Sequence, residues 1–167
     1  LEGIEERTEI AAGMNIIVVS DHGMAATNAT SRVIFLDDYI DMDQVDVAKM
    51  SPVANIWLKE DSTLTPQDVV TALTGAPGLE GVFLKEDTPA ELQYSNNDRI
   101  PPVLAIAEVG YTITLREEWV TFNNCTQSCS FGGHGYRNDA EEMAAIFVAQ
   151  GPAFVAGDGE DPTMDGA

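Results

Sequence analysis

Basic residues are scarce in this sequence. Its 167 residues include 8 lysines and arginines against 28 aspartates and glutamates, so the formal net charge at pH 7 is −20. A surface with this charge repels nucleic acid and anionic membranes, so we expect no nucleic-acid duplex as a partner. An anionic substrate would need a local positive centre, for which a bound divalent cation is the natural candidate.

Long apolar runs are also missing. No stretch reaches the roughly 18 consecutive apolar residues of a membrane-spanning helix. The sequence has neither a signal peptide nor an initiator methionine, and we interpret it as a fragment or a processed product. Any membrane anchor is expected in sequence outside these residues. The length predicts one domain over residues 1–167. A flexible tail is expected at 155–167, where Gly, Asp and Pro dominate.

Cysteine is limited to Cys125 and Cys129, whose spacing allows either a small disulfide-closed loop or two free thiols. A structural zinc needs about four ligands, so this pair alone is weak evidence for one. Asn124 and Asn28 each begin an Asn-x-Thr tripeptide, the acceptor for N-glycosylation. Together with the acidic balance, these features favour an extracellular or lumenal protein.

The apolar pattern predicts an α/β fold. A helix over residues 1–12 and one beginning at Thr65-Pro66 are indicated, and a short helix follows Asn138. Segments 25–31 and 121–135 read as loops. The predicted strands are Asn15–Val19, Val33–Leu36, Val53–Leu58, Gly81–Leu84, Val103–Ala107, Tyr111–Leu115 and Ala145–Ala149. The first is aliphatic without alternation and should be covered on both faces, as in a parallel sheet. The last is expected in the core.

The first strand ends at Asp21-His22-Gly23. Open α/β sheets bind ligands just beyond the carboxyl ends of their strands. Neighbouring residues of an extended strand point to opposite faces, but Gly23 allows a turn after which Asp21 and His22 could face one metal ion. The alternative is an ordinary turn in which Asp21 caps the following element.

The second of the two histidines, His134, is bracketed by Gly132, Gly133 and Gly135. Glycines allow close backbone approach and unusual angles, which a ligand-presenting loop often requires. The alternative is a loop histidine without a role. Because both histidines adjoin glycines and one follows an aspartate, we favour a metal site. The aspartates between Asp37 and Asp46 lack EF-hand spacing and are read as a solvated turn.

Three blocks resemble the nucleotide pyrophosphatase/phosphodiesterase family of the alkaline phosphatase superfamily. They are Asn15–Met24, Tyr94–Ile100 and Gly133–Phe154, in the family's order. The resemblance implies a layered α/β/α sandwich of the alkaline phosphatase type, incomplete because the N-terminal strands and helices are missing. It also implies a two-zinc enzyme, with Asp21 and His22 binding one zinc and His134 helping to bind the other.

Members of this family cleave phosphodiester or pyrophosphate bonds in nucleotides, mostly outside the cell, through a threonine nucleophile. The resemblance places that nucleophile and the remaining zinc ligands upstream of Leu1, so the chain alone is expected to be inactive. Two alternatives remain open. One is a lysophospholipid or choline phosphodiesterase of the same superfamily, and the other is a catalytically dead binding module.

Overall fold

The computed structural model describes residues 13–48, 51–122 and 130–154. The predicted helix 1–12, Asn124, the two cysteines and the segment 155–167 lie outside these residues. The chain divides into two compact units, which are residues 22–144 and the combination of 1–21 with 145–167. No helix in the described residues is long and apolar enough to cross a membrane.

The described residues form ten strands and two α-helices, with short 3₁₀ helices between them. The strands are β1 (Ile16–Val19), β2 (Ala25–Asn28), β3 (Val33–Phe35), β4 (Val45–Ala48), β5 (Val53–Leu58), β6 (Leu79–Leu84), β7 (Val103–Ala107), β8 (Thr112–Thr114), β9 (Ser130–Gly133) and β10 (Phe147–Gln150). The helices are α1 (Pro66–Leu73) and α2 (Arg116–Phe122). The 3₁₀ helices are Leu36–Asp38, Lys85–Asp87, Ala90–Leu92 and Glu141–Met143.

A four-stranded antiparallel sheet forms the core of the unit 22–144. Its strand order is β4-β5-β7-β6. All five residues of β7 are buried, and α1 contacts β6 and β7. A strand that is apolar on both faces is suited to this central position. The predicted strand at Val103–Ala107 is therefore confirmed.

Helix α1 begins as its sequence predicts. The hydroxyl of Thr65 accepts a hydrogen bond from the backbone N–H of Asp68, and the Asp68 carboxylate accepts one from the backbone N–H of Thr65. This capping box supplies side-chain acceptors to the backbone N–H groups of Thr65 and Asp68 at the start of the helix. Val69 and Leu73 form the buried stripe. Gly75, at φ +83°, follows the helix end.

Two smaller pairings complete this unit. β3 and β8, which lie within predicted strands, pair in parallel, whereas β2 pairs antiparallel with β9 inside segments that were predicted to be loops. The residues of β2 are mostly small or polar, so local propensity does not indicate a strand there. Pairing with a distant segment stabilises the extended backbone instead. β4 and α2 were also missed, and the helix predicted after Asn138 is the 3₁₀ turn Glu141–Met143.

The other unit contains β1 and β10, which pair antiparallel. Two predictions were wrong here. Among the described residues β1 pairs with β10 alone and has no parallel neighbour, and Ile17, Val18 and Val19 are 54%, 48% and 62% exposed. The final strand is also exposed rather than in the core, with Phe147 at 62%. An apolar run indicates that a strand is suited to burial on both faces. In the described residues, however, β1 has one neighbouring strand and its side chains are exposed.

The capping box makes a stability prediction. Replacing Thr65 with Ala should lower the free energy of unfolding by about 1 kcal/mol, because the backbone N–H of Asp68 loses its side-chain acceptor and keeps only the Thr65 carbonyl. Thr71→Ala is the control, since this hydroxyl only bonds to the Gln67 carbonyl within the helix. The bond to Thr65 lowers the pKa of Asp68, so the difference should shrink as acid protonates Asp68. Urea unfolding at neutral and acid pH measures it. Equal losses in both variants would contradict the assignment.

Candidate functional site

The two histidines of the chain lie against each other. The ring centroids of His22 and His134 are 3.8 Å apart and the ring planes are inclined by 16°, so the imidazoles are stacked. His22 is half-buried and His134 is exposed. Imidazole is a common zinc ligand, so two rings this close can serve neighbouring metal ions.

The pairing of β2 with β9 positions both rings. In its register Ala25 lies opposite Gly133, so His22 precedes one strand by three residues and His134 directly follows the other. The Nδ1 atom of His22 lies 2.8 Å from the carbonyl oxygen of Gly23. A carbonyl only accepts hydrogen bonds, so this contact favours the tautomer with the proton on Nδ1. The lone pair is then on Nε2, as metal ligation through Nε2 requires.

Gly23 is required for close backbone packing. A Cβ at this position would overlap the carbonyl oxygen of Glu142 and lie 2.8 Å from that of Ala144. The backbone N–H of Gly23 donates to the carbonyl of Met143 at 3.0 Å. Its φ is not among the positive values of the chain. The glycine therefore serves the approach to the 3₁₀ turn at 141–143 rather than a left-handed turn.

The glycines around His134 have two separate functions. A Cβ on Gly133 would lie 2.6 Å from the Thr27 methyl group and 2.9 Å from the Tyr136 hydroxyl. Gly135 has φ +87°, which favours glycine. Tyr136 anchors the loop, since its hydroxyl donates to the carbonyl of Tyr111 at 2.9 Å. Burial raises the pKa of Tyr136, so the phenol remains a protonated donor.

Asp21 lies in an exposed bend directly before His22 in the chain. Within residues 13–48, 51–122 and 130–154, no group of three or more His, Cys, Asp or Glu side chains could hold a metal ion. One carboxylate and two imidazoles are suitable donors for zinc, but two catalytic zincs need about six protein ligands. The zinc roles of Asp21, His22 and His134 remain predictions.

Two clefts adjoin His134. The larger has a volume of 490 Å³ and the smaller 320 Å³, and both are lined by Ser51, Pro52, His134 and Tyr136. The larger also includes Asn55, Tyr94, Arg137 and Asn138. Sequence reasoning did not place these residues in the site. The available signal was Tyr94, which opens the middle block of the resemblance.

Arg137 is held by carboxylates. Its guanidinium lies 2.8 Å from Asp139, 3.1 Å from Glu80 and 3.8 Å from Glu91. The hydrogen bond with Asp139 is the main cause of the raised pKa of Arg137 and of the lowered pKa of Asp139. Because three carboxylates offset this charge, Arg137 does not create a positive surface in the cleft.

Asn28 ends β2 in a turn. Its side-chain oxygen accepts hydrogen bonds from the backbone N–H of Thr30 at 2.9 Å and from the Thr30 hydroxyl at 2.8 Å. The Asn and Thr of this acceptor tripeptide are therefore in contact, as in an Asx-turn. Asn124 lies outside the described residues.

Comparison with known proteins identifies the family. The sequence model described as "Type I phosphodiesterase / nucleotide pyrophosphatase" matches residues 1–137. The chain is a member of the type I phosphodiesterase/nucleotide pyrophosphatase family. The family inferred from the three sequence blocks is thereby confirmed.

Related proteins of this family align with most of the chain. It is 38% identical over 141 residues to ectonucleotide pyrophosphatase/phosphodiesterase family member 5 of Homo sapiens, covering 84% of this chain and 27% of that protein. It is 37% identical over 144 residues to the bis(5'-adenosyl)-triphosphatase ENPP4 of Homo sapiens, covering 86% and 29%. The chain thus spans less than a third of these two relatives.

Solved structures of relatives have a similar fold. Human ectonucleotide pyrophosphatase/phosphodiesterase 5 superposes with a TM-score of 0.74 at 36% identity, covering 91% of this chain and 37% of that one. An inactive variant of the murine protein, in complex with AMP, gives a TM-score of 0.71 at 39% identity, covering 89% and 37%. The chain therefore has the α/β fold of the alkaline phosphatase type, in the part of the domain that it spans.

The stacked rings can be observed directly, since this family member contains only two histidines. Stacking should shift the imidazole proton resonances of both rings upfield. Gly23→Ala should cost about 1–3 kcal/mol through overlap with the Glu142 carbonyl and should move both resonances. Gly13→Ala is the control, since a Cβ there meets nothing within 4 Å. Proton NMR of the variants checks this, and unchanged histidine signals in Gly23→Ala would contradict the arrangement.

Proposed function

We propose that the protein hydrolyses phosphodiester or pyrophosphate bonds in nucleotides and their derivatives, using two bound zinc ions. In this proposal Asp21 and His22 contribute to one zinc and His134 to the other. The observation that supports it is the stacked His22–His134 pair in a chain of this family. The names of the relatives add nucleotide chemistry, since one is a bis(5'-adenosyl)-triphosphatase and another was solved with AMP.

The bound ions would polarise the phosphoryl oxygens and lower the pKa of a nucleophilic hydroxyl. The residues of this chain would orient the imidazoles. The Gly23 carbonyl holds the Nδ1 proton of His22, and the Gly23–Met143 hydrogen bond fixes the backbone beneath that ring. Tyr136 fixes the loop that carries His134. Outer contacts of this kind matter to metal affinity because they set the tautomer and direction of each ligand.

The described residues do not supply the nucleophile in this proposal. Thr27 is the described threonine closest in sequence to the Asp21-His22 pair, but it is 8% exposed and its hydroxyl donates to the Phe131 carbonyl at 3.1 Å. That contact ties β2 to β9, which is a structural role. We propose that the threonine nucleophile belongs to sequence outside this chain, and that the 167 residues alone hydrolyse little.

The proposed activity is tested in the full-length enzyme. It should release p-nitrophenol from the p-nitrophenyl ester of a nucleoside monophosphate at alkaline pH, and chelation should stop the reaction until zinc is restored. His134→Ala should lower kcat/KM by about 100-fold or more, since even outer contacts of zinc ligands are worth 10–100-fold. Asp43→Asn, an exposed carboxylate of the same unit, is the control.

Undiminished activity in His134→Ala, or after exhaustive chelation, would overturn the zinc proposal. A parallel panel of lysophospholipid and choline esters tests the substrate class. Faster hydrolysis of those esters than of the nucleotide ester would favour the lipid alternative.

We also propose that the protein is exported and carries an N-glycan on Asn28, where the turn brings Asn28 and Thr30 together. The protein secreted from a eukaryotic host should lose one glycan mass in Asn28→Gln and in Thr30→Ala. Thr30→Ser should keep the glycan, because serine retains the hydroxyl of the acceptor tripeptide. Mass spectrometry before and after enzymatic deglycosylation measures this. An unglycosylated Asn28 in the secreted wild-type protein would refute the assignment.

A further inference from the structure

The larger cleft beside His134 has an apolar floor built by two strands of the central sheet. Its volume is 490 Å³, within the roughly 300–1,000 Å³ typical of small-molecule sites. Val53 of β5 lies opposite Ile106 of β7, and Asn55 lies opposite Leu104. All four residues line the cleft. Residues that alternate along a strand share a face, so one face of the sheet forms this floor.

Tyr94 forms one wall of the cleft with its aromatic ring and its polar hydroxyl. The side chain is 40% exposed, and its hydroxyl donates to the Asn55 side-chain oxygen at 3.2 Å. The bond fixes the Asn55 amide, whose two N–H donors make no hydrogen bond with another described residue. An exposed ring beside an oriented amide can stack on a flat heterocycle and donate to its edge.

The charges exclude one type of occupant. Arg137 is the cationic residue of the cleft lining, and its guanidinium is already held by Asp139, Glu80 and Glu91. A phosphate group would meet these carboxylates, so the cleft suits a neutral group rather than an anion. The lining is also too polar for an alkyl chain alone, since Asn55 and Asn138 would lose hydrogen bonds to water.

The position of the cleft connects it with the histidine pair. His134 lines the cleft, whereas His22 does not. If the scissile phosphate is held at the pair, an occupant of the cleft lies on the His134 side of that phosphate. A dinucleoside polyphosphate has one nucleoside on each side of its phosphates, so one of the two would reach this cleft.

We propose that this cleft binds a nucleoside of the substrate, with the base stacked on Tyr94 and its polar edge bonded to the Asn55 amide. The inference rests on the proposed function and adds a specificity-determining site to it. Recognition in the cleft depends mainly on the ring of Tyr94. Its hydroxyl contributes less, because it acts only by orienting Asn55.

The test uses the full-length enzyme with three substrates. They are bis(5'-adenosyl) triphosphate, the p-nitrophenyl ester of a nucleoside monophosphate, and methyl p-nitrophenyl phosphate, which has no nucleoside. Tyr94→Ala should raise KM for the first substrate at least about fivefold, since stacking of one base is worth roughly 1–3 kcal/mol. Tyr94→Phe should show a smaller effect. Tyr39→Ala, which removes a tyrosine that is 37% exposed and lies outside this cleft, should show none.

The two nucleotide substrates distinguish which nucleoside is bound. A KM effect on the triphosphate alone assigns the cleft to the departing nucleoside, and an effect on both assigns it to the retained one. Unchanged KM values for both nucleotide substrates in Tyr94→Ala would overturn the proposal. An equal rise in KM for methyl p-nitrophenyl phosphate, which has no nucleoside, would also overturn it. A wild-type enzyme inactive on all three substrates would instead refute the proposed function. Adenosine binding to that protein, measured by calorimetry with Tyr94→Ala as the comparison, would still test the cleft.

Discussion

The pairing of β2 with β9 is the constraint on which the candidate site depends. These strands are far apart in sequence, and their register alone brings the backbone before Ala25 beside the backbone after Gly133. A slip of one residue would exchange the buried and exposed faces of β2, moving Ala25 and Thr27 out of the interior. The hydroxyl of Thr27 bonds to the Phe131 carbonyl across the pair. Register and histidine position are therefore set by the same contacts.

Close backbone approach explains the glycines at positions 23 and 133, each of which adjoins one of the two histidines. Gly23 packs against the carbonyls of Glu142 and Ala144, and Gly133 packs against Thr27 and Tyr136. In each case the missing Cβ matters more than backbone flexibility, and only Gly135 of the three has a positive φ. The site is consequently held by main-chain packing and by the Tyr136 hydrogen bond.

Local signals in the sequence predicted some elements and not others, for physical reasons. The β7 residues are apolar on both faces, and Thr65-Pro66 with Asp68 contains a complete helix start, so both were readable. β2 is Ala-Ala-Thr-Asn, which has neither apolar alternation nor strand propensity, and only its distant partner makes it a strand. The exposure of β1 was misjudged because an apolar run indicates suitability for burial and says nothing about which neighbours are present.

The histidines could be singled out by their glycines, but their 3.8 Å separation depends on the unpredicted β2–β9 pair. The proximity of Tyr94 and Asn55 is likewise a long-range contact.

The balance of charge limits what this chain contributes to a two-zinc site. Two zinc ions carry four positive charges, and histidines are neutral ligands. Of the three proposed ligands only Asp21 is anionic, and a phosphodiester group adds one negative charge. Two positive charges would remain uncompensated, which is costly where water is excluded. The proposed site therefore needs further carboxylate ligands besides Asp21. Although the chain has 28 acidic residues, the described residues contain no group of three or more side chains that could hold a metal ion. Neutral imidazoles leave more of the zinc charge for the phosphoryl oxygens than carboxylates do, so the His22–His134 side of such a site would favour catalysis while its remaining ligands would favour metal retention.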